Sequence, residues 1–308
     1  MTAIYDINHV TTYRYEAPVA TARCALRLTP RGDFGQRVVQ SRIDVTPAPQ
    51  SMSERIDFFG NGVAEATILT PHTRLRVALS ARIEVVRGPF PAAALTPAWE
   101  DTRRAAAAES LAALSPTHFL FASRLAPLNA AVADYVRKSF TPARPMLDAA
   151  LEVMTRIHDD FDYDPVATQV TTPLAEAFAR RGGVCQDFAH IMISGLRGIG
   201  LPAAYVSGYI RTIPAPGEAR LEGADASHAW VAVWCGAEFG WLHLDPTNAL
   251  PVGEDHIIAA MGRDYADVSP IDGVVLSSGG QKLEVSVDVR PLPAGAAAAA
   301  GDTRRARA

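Results

Sequence analysis

A thiol, an imidazole and a carboxylate that could work together occur at Cys185, His228 and Asp245, each within a distinctive local pattern. Cys185 follows the pair Gly182-Gly183 and precedes apolar residues at Phe188, Ile191, Met192 and Leu196, the spacing of a helix with one buried face. The glycines release the backbone into that helix, and Gly200 and Pro202 supply its stop. A cysteine in a first helical turn meets unpaired N–H groups and the positive end of the helix dipole. These favour thiolate over thiol relative to the unperturbed value of ~8.5 and can also hold a developing oxyanion.

The partners lie in two strand-like stretches, Ser227–Trp234 and Phe239–Asn248. In the first, His228, Trp230, Ala232 and Trp234 share a face, and in the second Phe239, Trp241, His243 and Asp245 do. A two-residue turn at Gly236-Ala237 would pair Trp234 with Phe239, Ala232 with Trp241, Trp230 with His243 and His228 with Asp245. An aspartate beside an imidazole can fix the ring tautomer and leave the other nitrogen facing a thiol. His243 and Trp230 read as wall or core residues, and His190 as a packed or hydrogen-bonded helix residue. Asp187 suits the helix start electrostatically, although a negative charge there opposes a thiolate unless it is paired.

The ordered motifs GGVCQDFAH, SHAWVAVW and WLHLDPTN resemble the Cys, His and Asp motifs of bacterial transglutaminase-like proteins, whose core is similar to that of papain-like cysteine proteases. Residues 5–15 resemble the start of the N-terminal β-domain that often precedes this core, and residues 262–273 the loop that follows it. The resemblance implies a nucleophile at Cys185, a base at His228 and an orienting acid at Asp245. It extends to about Pro291.

The expected fold is α+β: an N-terminal β-sandwich-like domain (residues 1–90), then a catalytic domain (91–291) with leading helices and an antiparallel sheet, then a disordered tail (292–308). Alternation marks strands at Ile4–Tyr15, Val38–Val45 and Thr73–Val86, the last with Leu75, Val77, Leu79, Ala81, Ile83 and Val85 on one face. Helices are expected at 99–113, 126–140, 143–157 and 173–181, with further strands at 202–212 and 282–290. The turn Phe58-Phe59-Gly60-Asn61-Gly62 reads as structural.

A net charge of -4 with no long like-charge run argues against nucleic-acid and membrane-surface partners, and no uncharged apolar run of spanning length appears. A cytoplasmic protein acting on a peptide or protein amide is expected; its oligomeric state is not legible. Cys24, Cys185 and Cys235 are odd in number and lack paired metal spacing, so reduced thiols, no structural zinc and no cofactor are expected. The acidic stretch His158–Pro165 lacks the glycine and twelfth-position glutamate of a calcium loop and reads as a solvated turn.

The expected chemistry is acyl transfer on amide bonds through a thioester on Cys185, in a cysteine protease or amidase. Alternatives are a transglutaminase with an amine acceptor and a non-catalytic peptide-binding module on the same fold. A metal set of His228, His243 and Asp245 is a further option, but it leaves the helix start at Cys185 unexplained.

Overall fold

The structure, a computed structural model, describes residues 2–107, 112–212 and 226–293. Six strands come first: β1 (Ala3–Val19), β2 (Thr21–Leu26), β3 (Gln36–Thr46), β4 (Ser51–Ile56), β5 (Gly62–Ile68) and β6 (His72–Val85). Helices α1 (Trp99–Ala107), α2 (Ala130–Arg137) and α3 (Met146–Asp160) follow, then β7 (Asp162–Tyr163), α4 (Leu174–Arg180), β8 (Gly182–Gly183) and α5 (Cys185–Gly198). The chain continues through β9 (Ala203–Ile210), β10 (Ala226–Trp234), β11 (Trp241–Asp245), β12 (Leu250–Pro251), β13 (His256–Gly262), α6 (Tyr265–Val268), β14 (Ile271–Leu276) and β15 (Gln281–Leu292).

The alternation in β6 does what its pattern dictates. Leu75, Val77, Leu79, Ala81, Ile83 and Val85 are all buried and pack with Tyr5, Ile7, Leu26 and Ile68. Two antiparallel sheets, β15-β1-β6-β3 and β14-β2-β5-β4, share this core. Their outer members β15 and β14 come from the far end of the chain: Ile4 pairs with Leu292 and Leu26 with Ile271. The expected division, with 1–90 alone forming the first unit and everything to 291 the second, does not describe this pairing. Local alternation carries no information about a partner strand some 270 positions away. The expected tail begins one residue too early, since Leu292 is in β15; residues 294–308 lie outside those described.

The third sheet, β12-β11-β10-β9-β13, is antiparallel and positions the site. One face, with Ala203, Tyr205, Ala229, Val231 and Val233, packs on α5, which packs in turn on α2 and α3. The other, with Ala204, Val206, Trp230 and Ala232, packs with Phe59 and Phe119. Strand β13 is buried along its whole length, so it shows a short apolar run rather than alternation and went unrecognised in the sequence. Its outer edge is not left open. Arg31 N donates to Ile258 O, the Gln36 side chain bonds both Ile258 N and Ile258 O, and Asn61 receives Met261 N and donates to Met261 O. The Phe58–Gly62 turn is therefore structural, and the sandwich covers the sheet's edge.

Candidate active site

Helix α5 begins at Cys185, with Val184 as its extended N-cap residue. The cap comes from inside the helix: Asp187 Oδ2 accepts from Val184 N at 2.9 Å and from Thr168 Oγ1 at 2.5 Å. The Asp187 charge is thus committed to hydrogen bonds one turn from the thiol. Gly183 is needed for this approach, because a Cβ there would stand 2.5 Å from Asp187 Oδ2 and 2.9 Å from its Cβ. The glycine pair also forms β8, which runs parallel to β7 and holds Tyr163 beside Gly183. The acidic stretch is accordingly part structural: Phe161 is buried, while Tyr163 is exposed at the site. Burial and the neighbouring Cys185 raise the Tyr163 phenol.

The hairpin pairs differently from the expected register. Trp234 faces Trp241, Val233 faces Leu242, Ala232 faces His243 and Val231 faces Leu244. The reason lies in the turn. Gly236-Ala237 suits a type II′ turn, which needs positive φ only at its first position, but a second glycine downstream can end a longer loop. The chain runs on to Gly240, so that Gly236 (φ 99°) and Gly240 (φ 62°) take the left-handed positions and Cys235 N bonds Gly240 O at 2.8 Å. This two-residue shift preserves which face each side chain occupies. His228 Nε2 still lies 2.8 Å from Asp245 Oδ2, as a diagonal rather than a directly opposed pair.

Asp245 is fully buried and accepts five hydrogen bonds. Oδ1 takes the backbone N–H groups of Thr247 (2.9 Å) and Asn248 (3.2 Å), an Asx turn after the strand end. Oδ2 takes His228 Nε2, Asn248 Nδ2 (2.7 Å) and His256 Nε2 (3.1 Å). Thr247 O is itself tied to His158 Nδ1 of α3 at 2.8 Å. Burial opposes the charged carboxylate, but the bonds from His228 and His256, with the charge on His228, outweigh it and hold Asp245 well below the usual carboxylate range. For His228, burial favours the neutral ring. Hydrogen bonds to Asp245 and to the Cys185 side chain, with their charges, overcome it and raise the imidazole to about 10. With Nε2 committed to Asp245, Nδ1 is the nitrogen left for the sulfur. His228 and Asp245 are thus in direct hydrogen-bond contact, and the Cys185 side chain lies near enough to the imidazole to raise it.

Three residues at this site escaped sequence reading. His256 begins the unrecognised β13, and Asn248 is visible only as the last residue of the Asp-Pro-Thr-Asn turn. Tyr163 lay in a stretch read as solvated. His243, by contrast, does not join the cluster: its Nδ1 accepts from Trp230 Nε1 at 3.1 Å, its ring packs edge-on to Phe34, and burial pushes it down to about 3. The set His228, His243 and Asp245 is thus not assembled. His190 is likewise structural, accepting from Tyr265 N at 3.2 Å. Cys24 and Cys235 are buried, which raises both thiols, Cys235 to about 12, whereas Cys185 is partly exposed. A cavity of about 740 Å³ adjoins the site, lined among others by Tyr163, Arg211, His228, Asn248 and His256.

Residues 5–84 match the model of the bacterial transglutaminase-like N-terminal region, and residues 131–246 that of the transglutaminase-like superfamily. An uncharacterized protein of Mycobacterium tuberculosis is 38% identical over 94% of this chain and 93% of its own. The chain belongs to the transglutaminase-like superfamily. An uncharacterized Mycobacterium leprae protein is 33% identical over 93% of this chain and 98% of its own. A protein-glutamine gamma-glutamyltransferase of Pseudomonas aeruginosa is 32% identical over 39% of this chain and 18% of its own. Among solved structures, a candidate cysteine protease from Cytophaga hutchinsonii covers 95% of this chain with 91% of its own, at a TM-score of 0.72 and 18% identity, which shows a shared fold. The chain thus has the α+β architecture, with the N-terminal β-region and the transglutaminase-like core expected from its motifs.

Proposed function

We propose that this protein is a thiol-dependent acyl-transfer enzyme acting on peptide or protein amides, with Cys185 as nucleophile, His228 as acid and base, and Asp245 as orienting acid. The observation that carries this reading is the 2.8 Å contact between His228 and the buried Asp245, with the partly exposed Cys185 at the start of α5 near enough to His228 to raise its imidazole. Cys185 Sγ attacks the amide carbon, forming the S–C bond and moving the C=O pair onto oxygen. N–H groups of the first turn of α5 face that charge. Collapse breaks the C–N bond as His228 delivers its proton to the departing amine, leaving a thioester. His228 then takes a proton from the acceptor, whose attack releases Cys185.

Water is the acceptor in this reading. The cavity beside His228 carries polar groups from Arg211, Thr247 and Asn248, and an amine competes with water only where a site both holds it and excludes solvent. The partial match to a gamma-glutamyltransferase favours the amine reading as the alternative. Three unpaired thiols suit a reducing compartment, the cytoplasm, as its setting. The test is to incubate the protein with glutamine-containing peptides, with and without a labelled primary amine, and to follow products by mass spectrometry. Hydrolysed peptide that disappears in Cys185→Ala supports the proposal. Amine incorporation selects the transglutaminase reading, and peptide capture without turnover selects a binding module.

A further inference from the structure

The thiol chemistry uses one side of His228 and one carboxylate, yet a second imidazole converges on that carboxylate. His256 Nε2 and His228 Nε2 approach the same oxygen, Asp245 Oδ2, at 3.1 and 2.8 Å. The three ligand-type atoms of His228, Asp245 and His256 all lie within 4.8 Å of one another, and all three residues are buried. Two imidazole nitrogens and a carboxylate oxygen form a donor set suited to zinc-class cations. A tetrahedral site with metal–ligand bonds of about 2.0–2.1 Å places its donors roughly 3.3 Å apart, so the two imidazole–carboxylate contacts need to open by only about 0.2–0.5 Å, and the two imidazole nitrogens, within 4.8 Å of each other, to settle to the same spacing. His256 and His228 both line the 740 Å³ cavity, which gives a cation an entry path and room for a water ligand. The His256 ring is seated edge-on against the fully buried Trp230, 5.3 Å between ring centres, so it is already oriented.

We propose that His228, Asp245 and His256 form a binding site for a zinc-class divalent cation, and that its occupation excludes thiol catalysis. The first half stands on geometry alone; the second rests on the proposed roles of Cys185 and His228. A neutral imidazole that binds a cation through Nε2 keeps its single proton on Nδ1, so it has no lone pair to take a proton from the thiol or the acceptor. Asp245, turned to the cation, no longer orients the ring. The metal therefore acts as a reversible brake built from the triad's own residues plus His256.

Cobalt(II) titration of the Cys185→Ser chain tests the site without relying on sulfur or on turnover. The expected result is one saturable equivalent with visible ligand-field bands and no sulfur-to-cobalt charge transfer. Affinity should fall at least tenfold in His256→Gln, with circular dichroism confirming its fold. X-ray absorption of the zinc-loaded unaltered chain gives a second readout that needs no variant: two imidazole nitrogens and an oxygen, with no sulfur. Failure of Cys185→Ser to bind cobalt, sulfur in the zinc shell, or full affinity in a folded His256→Gln would overturn the site. If the chain hydrolyses peptides, one bound equivalent of zinc should abolish turnover and a chelator restore it. Undiminished turnover with zinc bound overturns the exclusion while leaving the thiol chemistry intact.

Discussion

Asp245→Asn is the substitution whose cost the structure makes most explicit. The carboxylate has two acceptor atoms, one receiving two backbone N–H groups and the other three side-chain donors. An amide of the same shape has one acceptor and one donor. If its oxygen serves His228, Asn248 and His256, its NH2 confronts the Thr247 and Asn248 backbone donors; turned over, it confronts three side chains. The smaller loss is two buried donors without partners, at about 1–3 kcal/mol each, so roughly 2–6 kcal/mol in all. That is a large share of a typical total of about 5–15 kcal/mol. At about 2 °C per kcal/mol for a large domain, Tm should fall by roughly 4–12 °C. Turnover should drop by roughly 10³–10⁴, since His228 loses both its orienting acceptor and the charge that favours its protonated form. Thermal melts followed by circular dichroism, with peptide turnover measured below the lowered Tm, read both effects. A variant that melts within about 2 °C of the unaltered chain and turns over normally would show that an amide satisfies these donors as well as the carboxylate does.

Limiting iodoacetamide should label Cys185 first, because burial raises the thiols of Cys24 and Cys235; peptide mapping that finds Cys235 labelled ahead of Cys185 contradicts the nucleophile assignment. Gly183→Ala should cost about 1–3 kcal/mol in urea unfolding and slow Cys185 alkylation, because its Cβ displaces the Asp187 cap; an unchanged midpoint would show that the cap yields freely. The folded-state pKa of His228 is raised, so its stabilisation is complete below about pH 6.5 and is lost as pH climbs towards about 10. The unfolding free energies of the unaltered chain and His228→Gln should therefore converge over that window, and a constant gap would contradict the His228–Asp245 pairing.

The site was legible where chemistry and periodicity coincide within one short stretch. Gly182–Leu196 contains its own turn, helix start and buried face, so the position of Cys185 followed from neighbours alone. The face shared by His228 and Asp245 was equally legible, because alternation depends only on parity. The register was not: a two-residue turn at Gly236-Ala237 and a longer loop ending at Gly240 both place glycine where positive φ is needed, and the chain takes the longer one. His256 was out of reach for a different reason. The run Ile257–Met261 is apolar on both faces, so it carries no period to identify a strand, and a lone histidine at its head has no local partner. Its partner Asp245 is supplied only by the sheet. The same holds for β15, which alternates plainly, and for β14, which does not: their pairing with β1 and β2 is set by packing across the whole chain.

In the proposed chemistry the Cys185 sulfur carries the acyl group. Its most direct test is to quench the protein with acid during turnover of a glutamine-containing peptide and to map the adduct by mass spectrometry. The expected product is a peptide acyl group on Cys185 alone, released by hydroxylamine and absent from Cys185→Ala. Undiminished turnover in Cys185→Ala, or an acyl group on any other residue, would contradict it.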